Sequence, residues 1–145
     1  MTIVCGRRFR PYRPMTQIAP TAADIEAIAE ATLRAVPEAF RAEALAVGLI
    51  VDEIASDDLM HELDIENPFE LTGMYEGIPL TERSVMDQPV KPSAIWLFRR
   101  AILDEWVERG DVALEDLVSH IVVHELAHHF GWSDGDIATI DRWWE

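Results

Sequence analysis

Two histidines and a glutamate near the end of the sequence have the spacing expected of two metal ligands and a general base. His124 and His128 lie four positions apart, and Glu125 directly follows the first of them. On a helix of 3.6 residues per turn, side chains four positions apart share one face, so both imidazoles can reach one point. Neutral imidazole is a common zinc ligand. Glu125 lies about 100° further round the helix, where its carboxylate can act as general base on a metal-bound water.

The residues after the second histidine offer a third ligand. From the first histidine the sequence reads HExxHxxGxxD, which places Gly131 and then Asp134 at three-residue steps. Glycine can adopt the left-handed conformation that ends a helix and turns the chain back, so Asp134 could complete the metal sphere. Ser133 also has the position of a helix cap, with Asp136 three residues further on, as in a capping box. Asp136 is therefore the alternative third ligand.

The segment that carries this motif is predicted to be a buried helix that begins after a cap at Asp111 and ends at Phe130. Its acidic first turn suits the positive end of the helix dipole. Apolar residues occupy nearly every side, which is typical of a buried helix: Leu117, Val118, Ile121, Val122, Val123, Leu126, Ala127 and Phe130. Its polar residues must then find partners or line a cavity. We interpret His120 as structural, and His129 as a neighbour of the metal ligands or as partly exposed.

Other patterns along the chain predict alternating helices and strands. Short apolar runs predict strands at residues 45–51, 71–75 and 93–98. Helical spacing and caps predict helices at 21–35, 99–108 and 134–145, a helical turn at 58–63, and an irregular connection at 38–43. With 145 residues and 49% apolar content, the sequence predicts a single domain at 21–145. Residues 1–20 lack periodicity, contain three prolines, and are predicted to form an extended or mobile basic arm.

Charge and cysteine content limit the possible partners and compartment. The 12 basic and 27 acidic residues give a net charge of −15, which argues against nucleic acid or an anionic membrane as the main partner. We find no secretory signal pattern and no apolar run long enough to cross a membrane, so we predict a cytoplasmic protein. Cys5 is the only cysteine. It predicts an inert free thiol and no internal disulfide.

Taken together, these residues resemble the small bacterial zincin-like metallopeptidases that carry HExxHHFGxSD. The segment Leu71–Arg83 is similar to that family's LxGLYEGxPLTER, and Ile95–Arg100 is similar to its strand and following turn. The resemblance covers roughly residues 24–141. In the family an acidic residue often follows the Ser-Asp pair directly, whereas this chain has Gly135 there, so the choice between Asp134 and Asp136 stays open.

The resemblance implies a minimal zincin-like α+β fold, in which a small mixed sheet packs on the buried active-site helix and a short helix ends the chain. It also implies a peptidase that uses Zn²⁺, with His124, His128 and Asp134 as ligands and Glu125 as general base. Peptides or proteins would be the substrates, and a peptide could lie extended along a sheet edge.

Some features of the reaction remain open at this point. Tyr75 and His120 are the candidates for stabilising an oxyanion. The main alternative function is a non-catalytic zinc-binding domain that mediates protein interaction. A metal-dependent ribonuclease is disfavoured, because such enzymes carry a third histidine and basic surfaces, whereas this chain has Asp134 and a net charge of −15.

Overall fold

The computed structural model describes residues 18–82 and 92–134. Within these ranges the chain forms five α-helices and three β-strands. The helices are α1 (Ala22–Ala35), α2 (Glu38–Ala46), α3 (Asp57–Glu62), α4 (Arg99–Arg109) and α5 (Leu114–His129). The strands are β1 (Gly48–Asp52), β2 (Gly73–Glu76) and β3 (Ala94–Phe98), and short 3₁₀ turns lie at Pro68–Glu70 and Leu80–Glu82.

The three strands form a mixed sheet in the order β1-β3-β2. The central strand β3 runs parallel to β1 and antiparallel to β2. Four of the five β3 residues are buried, as expected for a strand covered on both faces. The α+β class with a small mixed sheet is thereby confirmed, and β2 is the sheet edge that contacts α5.

Helix α5 packs in the core between α1 and the sheet. Leu117, Val118 and Val122 are fully buried. On the sheet side, a Cβ atom on Gly73 would lie 2.6 Å from the Ile121 side chain, so only glycine lets β2 pass this close to α5. The prediction that α5 is apolar and buried on nearly every side is too strong, because Val123 is 45% exposed. One face of the helix therefore opens to solvent.

Two predicted boundaries are wrong. The expected irregular connection at 38–43 is the helix α2, which ends at Ala46, so the strand begins at Gly48 and not at residue 45. The sequence EAFRAEALA consists mainly of strong helix formers, and these outweigh the apolar run that suggested a strand. Helix α5 begins at Leu114, with Ala113 as an N-cap that makes no side-chain cap bond, rather than after a cap at Asp111.

The physical reason for the later start of α5 lies in the preceding turn. Gly110 ends α4 in the left-handed conformation, with φ of 74°. The Trp106 indole then donates to the Val112 carbonyl across 2.8 Å, which holds residues 110–112 in a connection. Asp111 is consequently part of a turn and cannot cap the helix.

Several predictions concern residues that the structure does not describe. These are most of the basic arm (1–17), the closing helix beyond Asp134, and Asp136. Of the arm, residues 18–20 are described: Ile18 is 85% exposed, and the Pro20 carbonyl accepts a hydrogen bond from Arg99. Among the described residues, no helix has the length and apolar character needed to span a membrane.

Candidate metal centre

Three of the predicted side chains meet at one point on the open face of α5. His124 Nε2 lies 3.2 Å from Asp134 Oδ1, and His128 Nε2 lies 3.1 Å from the same oxygen. One ligand atom from each of the three residues lies within 4.8 Å of the other two. Ligands about 2.0 Å from a tetrahedral zinc lie roughly 3.3 Å apart, so this donor set has the size and chemistry that zinc requires.

The turn after α5 fixes the His128 ring. His128 Nδ1 lies 2.9 Å from the Trp132 carbonyl. A carbonyl can only accept, so Nδ1 carries a proton, and Nε2 is the ring atom that faces Asp134. A backbone partner of this kind sets the tautomer and the orientation of many metal-binding histidines. The main chain closes the same turn, since Trp132 N–H donates to the Ala127 carbonyl.

Gly131 makes this turn possible for two separate reasons. Its φ is +90°, the left-handed conformation expected from the sequence. In addition, a Cβ atom here would collide with the Thr81 side chain. Thr81, in the 3₁₀ turn Leu80–Glu82, thus packs directly on the turn between His128 and Asp134.

Glu125 lies beside the three donors and is half-buried. Burial raises the pKa of its carboxyl above the ordinary value for glutamate, and the charge of Asp134 adds to that effect. His124, His128 and the nearby Tyr75 main-chain N–H act in the opposite direction and lower the pKa of Glu125. A carboxyl with a raised pKa binds a proton more readily, which suits a general base.

In the metal-free protein, Glu125→Gln is expected to raise the free energy of unfolding at neutral pH. The folded-state pKa of the carboxyl exceeds its unfolded value, so above both values the wild type bears the cost of a buried charge. That cost disappears as pH falls through the folded pKa. The advantage of the variant should therefore be greatest near neutral pH and shrink toward acid, in urea unfolding at several pH values.

A matched control for this prediction is Glu115→Gln, at an exposed position on the same helix. This variant removes no buried carboxylate, so it should not gain stability as Glu125→Gln does. An unfolding free energy of Glu125→Gln that differs from wild type by the same amount at every pH would contradict the assigned burial effect.

Tyr75 and His129 contact one another on the sheet side of the centre. The Tyr75 hydroxyl lies 2.7 Å from His129 Nδ1 and 3.2 Å from Ser93 Oγ. This hydroxyl is therefore engaged with buried or half-buried groups, which makes Tyr75 a poor oxyanion donor in this conformation. His129 is 2% exposed, so the interpretation as a partly exposed residue is wrong. His120 lies one turn before His124, with 6.3 Å between the ring centroids.

Glu125 separates two cavities of different chemistry. The larger, of about 460 Å³, is lined by α5, the turn after it and β2, and its apolar walls include Met74, Pro79 and Trp132. The smaller, of about 240 Å³, lies toward the start of α5 and includes His120 and Arg109. The candidate metal centre thus opens on a cleft that extends to both sides of Glu125.

Comparison with known proteins agrees with this geometry. The family model of zincin-like metallopeptidases matches residues 44–144, which include the whole sheet and α5. The chain belongs to that family. No curated protein shows a significant match. For a zincin-like metallopeptidase a metal cofactor, typically zinc, is implied, and the donor set described above fits that ion.

Sequence reasoning missed the main-chain groups of this zincin-like site. The Trp132 carbonyl orients His128, and the Tyr75 N–H contacts Glu125. Main-chain groups are the same in every residue, so no residue type marks them. Gly131 was the available signal for the contact between the Trp132 carbonyl and His128. A left-handed residue directly after helix α5 turns the chain back, so a following carbonyl can contact the last turn of that helix.

Proposed function

We propose that this zincin-like protein is a zinc-dependent peptidase in which His124, His128 and Asp134 hold the metal and Glu125 is the general base. The observation that carries the proposal is the convergence of the three donor atoms within 4.8 Å beside a half-buried carboxylate. Two histidines and one carboxylate leave a fourth tetrahedral position open, which is typical of catalytic rather than structural zinc sites.

Each residue of the proposed site would have a separate role in hydrolysis. When bound, zinc supplies Lewis acidity to the reacting groups. Glu125 takes a proton from the attacking water and returns it to the departing amine, so a single carboxylate acts first as base and then as acid. The Tyr75 main-chain N–H lies near that carboxylate and favours its charged form. His128 keeps its orientation through the Trp132 carbonyl.

The cleft suits an extended peptide. Strand β2 is a sheet edge beside α5 and contributes residues 73–75 to the larger cavity. An extended segment can align with such an edge, where side chains give specificity through pockets. Met74, Pro79 and Trp132 make the larger cavity a suitable site for a bulky apolar side chain next to the scissile bond.

Cleavage of a peptide library by zinc-loaded protein tests this function. We expect cuts beside bulky apolar residues, loss of cleavage on treatment with a zinc chelator, and recovery on adding zinc back. No cleavage of any library member by protein with one bound zinc would contradict it. If zinc removal then lowers the melting temperature, that outcome would support the alternative, a non-catalytic zinc-binding interaction domain.

A further inference from the structure

His129 is a buried polar residue directly after the proposed ligand His128. Its Nδ1 lies 2.7 Å from the Tyr75 hydroxyl, and its Nε2 lies 3.6 Å from the Glu43 carboxylate on α2. The Tyr75 and His129 rings meet edge to face, with 5.4 Å between centroids. An imidazole buried this deeply needs polar contacts to offset its lost hydration. The residue therefore connects α2 and α5 to strand β2.

Tyr75 is also the residue whose main chain contacts Glu125. Its main-chain N–H lies near the Glu125 carboxylate and both residues line the larger cavity, while its side chain reaches His129. The ring and the main chain of Tyr75 share one Cα, so contacts that hold the ring also restrict where this part of β2 can lie. The contact between His129 and the Tyr75 hydroxyl thus bears on the position of the proposed base.

The surroundings of the Tyr75 hydroxyl leave little room for such a shift. A Cβ atom on Gly77 would lie 2.8 Å from that hydroxyl and 2.6 Å from Ser93 Oγ. Gly77 has φ of +147°, so the chain turns tightly at this point. The hydroxyl therefore lies among Gly77, Ser93, His129 and the Ile78 carbonyl, which is 3.3 Å away, and these neighbours restrict movement of the Tyr75 ring.

We propose that His129 is a positioning residue for peptide hydrolysis: it fixes the Tyr75 side chain and thereby the part of strand β2 that lines the larger cavity beside Glu125. This inference rests on the proposed peptidase function. A positioning role and a packing role of His129 predict different results. A residue that only fills space changes the stability of the protein without changing the position of Glu125. Misplacing a reacting group by about 1 Å can cost roughly 100-fold in rate.

Four variants in the full-length, zinc-loaded protein test the proposal by steady-state kinetics. His129→Leu is expected to lower kcat by roughly 10- to 100-fold, with KM and zinc content unchanged. His129→Asn, whose amide can place a polar atom near the position of Nδ1, should recover most of this loss. Tyr75→Phe removes the same hydrogen bond from the other side and should lower kcat similarly. His61→Leu, at an exposed position on α3, is the matched control and should leave kcat unchanged.

The double variant His129→Leu with Tyr75→Phe separates a shared contact from two independent effects. If the two residues act through one hydrogen bond, the double variant should lose no more kcat than the worse single variant. Fully multiplicative losses would overturn the proposal. Equal kcat for wild type and His129→Leu, with only a lower melting temperature, would also overturn it and leave a packing role.

A measurement that needs no turnover distinguishes failure of this proposal from failure of the peptidase function. The Tyr75 amide proton, which lies near the Glu125 carboxylate, should shift upfield in the NMR spectrum of Glu125→Gln. In His129→Leu it should move in the same direction, whether or not any peptide is cut. A Tyr75 amide shift that stays at its wild-type value in His129→Leu would overturn the proposal by itself. Absence of cleavage by wild type would instead count against the peptidase function.

Discussion

Replacing Glu125 with glutamine is expected to lower kcat for peptide hydrolysis by about 100- to 10,000-fold while zinc stays bound. Glutamine has nearly the shape of glutamate and can still accept the Tyr75 N–H bond, but its amide cannot take up a proton. His124, His128 and Asp134, which meet without Glu125, keep the metal. The measurement is kcat on a cleaved library peptide, with zinc content determined on the same sample.

The control for this substitution is Glu115→Gln, which makes the same chemical change on the same helix at an exposed position. It should retain wild-type kcat. Wild-type cleavage by zinc-loaded Glu125→Gln would show that another group moves the proton, and the assigned role would then be wrong.

Asp134→Ala is expected to weaken zinc binding by at least 10- to 100-fold. Loss of a residue that only hydrogen-bonds a metal ligand already costs about that much, and Asp134 contacts both imidazoles directly. The affinity can be measured by competition with a chromogenic zinc chelator. Because Asp134 is largely exposed, its replacement should change the metal-free fold little.

Asp136→Ala is the matched control, since Asp136 is the alternative ligand by sequence and lies outside the described residues. We expect this variant to keep wild-type zinc affinity. A large loss of affinity in Asp136→Ala together with an unchanged Asp134→Ala would transfer the ligand role from Asp134 to Asp136.

The part of the site that sequence could predict is the part set by local geometry. His124 and His128 share a face because four residues make about one helical turn. The left-handed turn at Gly131 follows from the same local reasoning, since the residue has no Cβ. These features depend on neighbours in sequence alone, so the motif was enough to anticipate them.

The rest depends on contacts between segments that are far apart in sequence. Thr81 packs on Gly131, Gly73 admits Ile121, and Tyr75 contacts both His129 and Glu125. Nothing near Tyr75 in the sequence indicates that its strand forms a sheet edge against α5. The error at α2 has a local cause instead, since the first residues of an apolar run interpreted as strand complete a sequence of strong helix formers.

The central claim is a zinc ion held by two imidazoles and one carboxylate, and X-ray absorption at the zinc edge combined with elemental analysis tests it most directly. We predict about one zinc per chain in the wild type, with a first shell of nitrogen and oxygen ligands, outer-shell scattering from two imidazole rings, and loss of that zinc in His128→Ala. Purified protein without stoichiometric zinc, or zinc retained fully in His128→Ala, would contradict it.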